Sequence, residues 1–200
     1  MARIGFRFST VLVGWFACLA VMPGAEDPKP DAVHGFKTLG DVTLKARVFF
    51  PAGRPPETAR PGVVFFFGGG WQGFWPRQFY RQCRYLANRG MVAIAAEYRT
   101  KNEHGVEPLE CVKDAKSAIR WVKRNAAMLG VDPDRLAAGG ASSGSQLAAM
   151  TAVPGGLNHV DDDRSVSSRP SALILYAAVL DTGPGGFVHD WVKPYWRDFS

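Results

Sequence analysis

The sequence has no basic run, no internal repeat, no low-complexity tract, and only three cysteines and four histidines in 200 residues. Each shortage excludes something. The formal charge of +6 would invite a nucleic-acid partner, but Arg3 and Arg7 supply two of those charges, and the other cations are dispersed among Asp and Glu. No electrostatic footprint for nucleic acid results. No His, Cys, Asp and Glu fall at metal-ligand spacing, and "DDD" at Asp161 to Asp163 reads as a solvated loop, so neither metal nor other cofactor is expected. The longest apolar core, "VLVGWFACLAVM", lies in an uncharged stretch from Phe8 to Met22 and is short for a membrane span. Behind Arg3 and Arg7 it has the form of an export signal, residues 1–25, with cleavage near Ala20 or Ala25. An uncleaved anchor is the alternative, and "WFA" before Cys18 matches a lipoprotein signal poorly. The expectation is export to the periplasm or the extracellular space, without stable membrane insertion after cleavage. Cys83 and Cys111 then remain, on separate predicted helices, and read as core thiols with a disulfide as the alternative.

What is present describes one globular domain: 46% hydrophobic and 21% charged residues. Residues 26–35, Pro-rich and charged, read as a linker, and residues 36–200 as the domain. "VTLKARVFFP" from Val42 to Pro51 alternates as a half-exposed strand. Val63 to Phe67 is apolar throughout, as a strand buried on both faces would be. A helix is expected from Gln78 to Arg89, a buried strand over "MVAIAAEY", and a long helix from Pro108 to Leu129, closed by Gly130. "VDPDR" is expected to turn, "LAAGG" to form a short strand, "SQLAAMTAV" a helix and "SALILYAAVL" a buried strand. Alternating strands and helices predict an α/β fold with a mostly parallel sheet and helices on both faces.

Two motifs sit where such a sheet places a site. "GGASSG" contains Gly140, Ser142 and Gly144 in G-x-S-x-G spacing, after a strand and before a helix. A serine on so sharp a turn is held above the sheet at the positive end of the helix, and small neighbours let the turn close. The alternative is that Ser142 and Ser143 only cap that helix. The second motif is "VVFFFGGGWQGFWP", a buried strand running straight into three glycines. Acyl transfer through a serine creates an oxyanion, which needs N–H donors from two loops. The Ser143 amide would be one donor, and glycines let Gly69 and Gly70 approach the same oxygen. A rival reading takes Gly68, Gly70 and Gly73 as a dinucleotide fingerprint with Glu97 as the ribose acid. Against it, Trp71 and Gln72 put bulk where a pyrophosphate would need access, and the helix is delayed.

"FFGGGWQG" with "GVDPDRLAAGGASSGSQLAA" resembles the alpha/beta-hydrolase superfamily, in the esterase branch with an HGGG-type loop, the hormone-sensitive-lipase-like and acetyl-xylan-esterase-like enzymes. The resemblance covers about residues 36–200. It implies Ser142 as catalytic nucleophile, an oxyanion hole of Gly69, Gly70 and Ser143, and a small-molecule or carbohydrate ester as substrate. The chain departs from it at Phe67, which stands where the branch has a histidine that braces the loop, so packing is expected to hold the loop instead. It departs again in the triad. After Ser142 only His159 and His189 remain; both read as surface histidines, and Asp181 follows a strand one too early for the triad acid. The expectation is a domain lacking on the order of one hundred residues of its C-terminal strands, with the acid and histidine beyond Ser200 and almost no activity as it stands. The leading function is thus an exported serine hydrolase of carboxylic esters. A serine peptidase of the same fold and a non-catalytic ligand-binding or interaction protein are the alternatives.

Overall fold

A computed structural model describes residues 26–52, 58–181 and 186. The expected export signal and His189 lie outside the described residues. Six strands form one sheet: β1 (Ala32–Leu39), β2 (Val42–Phe49), β3 (Arg60–Phe66), β4 (Val92–Ala96), β5 (Val131–Ala141) and β6 (Ala172–Tyr176). Their order is β1-β2-β4-β3-β5-β6. The first two pair antiparallel with each other, β2 pairs antiparallel with β4, and β3 to β6 are mutually parallel. This is the expected mostly parallel sheet.

The apolar run of β3 sits at its centre because it can be covered from both sides. Val64 and Phe66 point into one core with Ile94, Ala96, Val112, Ile119 and Leu147. Val63 and Phe65 point into the other, with Ala93, Phe79 and Cys83. Alternate side chains of a strand emerge on opposite faces, so a strand between two cores must be apolar at every position. Helix α1 (Tyr80–Ala87) covers the second core; α3 (Pro108–Arg124) and α5 (Ser143–Ala152) cover the first. Cys83 and Cys111 are both buried and free, one in each core. The intervening sheet rules out their pairing.

Local chemistry accounts for the departures from expectation. The stretch expected to be a linker enters β1 at Ala32, and the hairpin to β2 turns at Gly40, whose φ is +59°. The "VDPDR" turn is present but enclosed in β5: Arg60 pairs with Val131 and Gly62 with Leu136, so residues 132–135 loop out of the ladder. Asp132 folds that bulge by accepting from the Asp134 amide and the Arg135 guanidinium. The long helix breaks after Arg124, where the Asn125 side chain donates to Trp121 O, and resumes as α4 (Ala126–Leu129). A single turn, α2 (Lys101–His104), follows β4. The last strand is shorter and less buried than expected. Ala177, at φ +48°, turns the chain after Tyr176. Among the described strands β6 pairs only with β5, and Leu173 and Tyr176 stay 41% and 49% exposed.

Candidate active site

The connections from β3 and β5 leave the sheet in opposite directions, to α1 on one face and α5 on the other. The two strands are parallel neighbours, Phe66 opposite Gly140. A crevice therefore opens at their carboxyl ends, the topological switch point where α/β sheets bind ligands. Both motifs lie there.

Ser142 occupies the turn between β5 and α5 with φ +51° and ψ −121°, a conformation an L residue adopts only under strain. The surrounding bonds hold it there. Its amide donates to Tyr176 O at 3.0 Å, and its carbonyl accepts from the Ser145 amide and hydroxyl at 2.9 and 2.5 Å. Its side chain makes no capping bond to the helix. Ser142 is exposed, and its hydroxyl has no hydrogen-bond partner among the described residues. The flanking glycines are a steric requirement. A Cβ on Gly140 would strike the Gly144 carbonyl, and one on Gly144 would strike the carbonyls of Phe66 and Phe67.

The glycine loop touches this turn directly. A Cβ on Gly68 would lie 2.7 Å from Ala141 O and 3.4 Å from Ser142 Cβ. Gly69, Gly70 and Trp71 follow with φ of +136°, +62° and +60°, and Gly69 O accepts from the amides of Gln72 and Gly73 at 3.0 and 2.9 Å. Trp71 turns inward, buried, and its indole N–H donates to Gln146 Oε1 on α5 at 3.4 Å. The amides of Gly69, Gly70 and Ser143 have no acceptor among the described residues. Ser143 begins α5, whose N-terminal dipole favours negative charge at this point. Sequence reasoning thus named four residues, Ser142, Ser143, Gly69 and Gly70, that fall in two adjoining turns.

The loop is held by packing, as expected from Phe67, and by hydrogen bonds that the sequence does not mark. Phe67 is buried, stacked on Tyr98 with centroids 4.1 Å apart and packed edge-on to Phe74. Hydrogen bonds supplement this packing. Tyr98 Oη donates to Phe67 O at 2.8 Å, and the Gly68 amide donates to Gln78 Oε1 at 2.6 Å. Burial pushes the Tyr98 phenol well above its usual range, outweighing the neighbouring Ser143 hydroxyl, so Tyr98 stays protonated and able to donate. A cavity of about 490 Å³ lies alongside, lined by Phe74, Trp75, Gln78, Arg81 and Asp27 among others. Trp75 is 64% exposed at its rim.

The dinucleotide alternative does not fit. The chain coils into a tight turn after Gly69, α1 begins only at Tyr80, and Glu97 is engaged by Arg47 and the Lys45 amide.

Two residues read as solvated are instead partly or wholly enclosed. His159 is packed against Arg99, with Nε2 3.6 Å from Asp114 Oδ1, and Asp114 is fully buried. Asp162 accepts hydrogen bonds from Lys37 on β1 and from Ser117 and Arg120 on α3. Burial raises its pKa, but the bonds from Lys37 and Ser117 and the charges of Lys37 and Arg120 outweigh that and hold it below the usual carboxylate range. Neighbouring residues of this connection are tied to α3 as well: Lys116 donates to the carbonyls of Val153 and Gly155, and Arg120 to Val166 O. The "DDD" loop is therefore a structural anchor between α5 and β6. None of the described histidines is hydrogen-bonded to Ser142.

Proteins similar to this chain include esterases. Carboxylesterase NlhH of Mycobacterium tuberculosis is 32% identical over 121 residues, which is 59% of this chain and 35% of that protein. The apo form of Thermogutta terrifontis esterase 2 superposes with a TM-score of 0.76 at 45% identity, covering 82% of this chain and 60% of that one. The same esterase phosphorylated by paraoxon superposes with a TM-score of 0.72 at 47% identity, covering 80% and 59%. The chain thus spans about a third of the length of NlhH and three fifths of the Thermogutta esterase. The BD-FAE family profile matches residues 48–189, and the chain belongs to that family, with the alpha/beta-hydrolase fold.

Proposed function

We propose that this protein is an exported serine hydrolase of carboxylic esters, acting through an acyl-enzyme on Ser142. The observation that carries the reading is the contact between two turns: a strained, exposed serine whose hydroxyl has no partner among the described residues, against a glycine loop in which the Gly69 and Gly70 amides have no acceptor among those residues. The esterases it resembles support the same chemistry, and one of them is a form phosphorylated by paraoxon.

In the proposed mechanism Ser142 Oγ attacks the ester carbonyl carbon while a histidine base takes its proton. The carbonyl oxygen becomes an oxyanion, held by the amides of Gly69, Gly70 and Ser143. Collapse expels the alcohol, which leaves with that proton, and forms the acyl-serine. Water, deprotonated by the same base, then releases the carboxylic acid and restores the serine. The acid and histidine are assigned to polypeptide outside the described residues, since His159 is already engaged by Arg99. The substrate is a small-molecule ester, with an ester on a carbohydrate as the narrower candidate. Export rests on the apolar segment behind Arg3 and Arg7.

The test is covalent labelling of the full-length protein by a fluorophosphonate. Modification of Ser142, lost in Ser142→Ala, is the expected result. A folded protein that resists labelling would favour the non-catalytic reading.

A further inference from the structure

The residue that departs from the family resemblance, Phe67, adjoins the most firmly held peptide of the loop. Phe67 O accepts from Tyr98 Oη at 2.8 Å, and Gly68 N donates to Gln78 Oε1 at 2.6 Å. These atoms are the two ends of one peptide unit. A trans peptide is planar with its C=O and N–H pointing oppositely, so bonds at both ends fix its rotation about the Cα–Cα axis. A second peptide is fixed in the same way from one end: Gly69 O, which shares a unit with the Gly70 amide, accepts from Gln72 and Gly73. The Gly69 amide belongs to the unit between these two. Glycine has no side chain to restrict its dihedrals, so without the first clamp the direction of that amide would be set by little else.

We infer that Gln78 and Tyr98 are positioning residues for the oxyanion-binding amides, together replacing the histidine whose place Phe67 takes. The inference rests on the function proposed above. Gln78 is exposed and lines the neighbouring cavity, so deleting its acceptor leaves the core intact. Tyr98 is fully buried and stacked on Phe67, so Tyr98→Phe removes the donor while keeping the stack.

The experiment uses the full-length protein and its Gln78→Leu, Gln78→Glu and Tyr98→Phe variants. A short-chain p-nitrophenyl ester is the substrate, and rates are normalised to the fraction of Ser142 titrated by a fluorophosphonate. A trifluoromethyl ketone, which forms a tetrahedral oxyanion adduct, is the inhibitor. Misaiming a donor is expected to lower kcat of Gln78→Leu by about 10- to 100-fold with KM little changed. Binding of the ketone should weaken by a similar factor. Gln78→Glu keeps the acceptor but adds a negative charge near the oxyanion, so it should recover only part of the kcat lost in Gln78→Leu, while Tyr98→Phe should resemble Gln78→Leu. A Gln78→Leu enzyme with wild-type kcat per active site, or a loss confined to KM or shared equally by Gln78→Glu, overturns the inference while leaving the esterase reading intact. A wild-type protein that neither labels nor turns over overturns both.

Discussion

Replacing Gly144 by alanine sets two effects of known sign against each other. Gly144 is the second residue of α5, and in a helix interior alanine is favoured over glycine by about 1 kcal/mol, less at an end. Its φ is not positive, so backbone strain does not enter. Against that gain, the new Cβ would overlap Phe66 O and Phe67 O and lie 2.8 Å from Phe66 C. All three are backbone atoms of β3 and the turn after it, and they cannot rotate away as a side chain would. Restoring ordinary contact needs a separation of the order of 1 Å, and overpacking of this kind costs about 1–3 kcal/mol. The steric effect wins, with a net loss of about 1–2 kcal/mol in denaturant unfolding. The displacement also parts Ser142 from the glycine loop, and about 1 Å of misplacement can cost roughly 100-fold in rate. The assay pairs urea unfolding with the rate of Ser142 labelling by a fluorophosphonate. An alanine variant more stable than wild type and labelled at the same rate would refute the close approach of the two turns.

Ser142→Gly should abolish labelling yet stabilise the fold by about 1 kcal/mol, because release of a strain of about 1–3 kcal/mol exceeds the entropic cost of glycine; unfolding curves of the two proteins check it. Asp162→Asn should cost about 1–3 kcal/mol, since partly buried Lys37 and buried Arg120 would lose their shared counter-charge. The folded-state pKa of Asp162 is depressed, so its stabilisation is complete above the unfolded value near 3.9 and is lost as pH falls through the folded value. Wild type and Asp162→Asn should therefore converge in stability in acid, read by urea midpoints from pH 7 down to about 2. Cys83 and Cys111 are buried, and burial raises both thiol pKa values, so neither should react with a disulfide reagent until the protein unfolds.

The parts of the fold legible in sequence are those governed by local rules. The apolar run of β3, the helical periodicity from Pro108 and the glycine spacing around Ser142 each follow from covering two faces, burying one stripe or closing a sharp turn. The missed features depend on partners distant in sequence. β1 mixes apolar and polar residues without strict alternation, and forms because β2 offers it a ladder. Asp162 looks like one of three solvated carboxylates until Lys37, 125 residues away, and Arg120 are folded against it. Phe67 read as a loss of the loop's brace, because neither Tyr98 nor Gln78 lies at a spacing that marks it as a partner of that loop. The cysteines, read from sequence as core thiols, are buried and free on opposite sides of the sheet.

The most direct test of the account is an experimental structure of the full-length protein with a phosphonyl group on Ser142. The account predicts the phosphoryl oxygen within about 2.7–3.1 Å of the amides of Gly69, Gly70 and Ser143. An adduct whose oxygen faces solvent, or a loop whose glycine amides turn away from it, would contradict the convergence of the two turns.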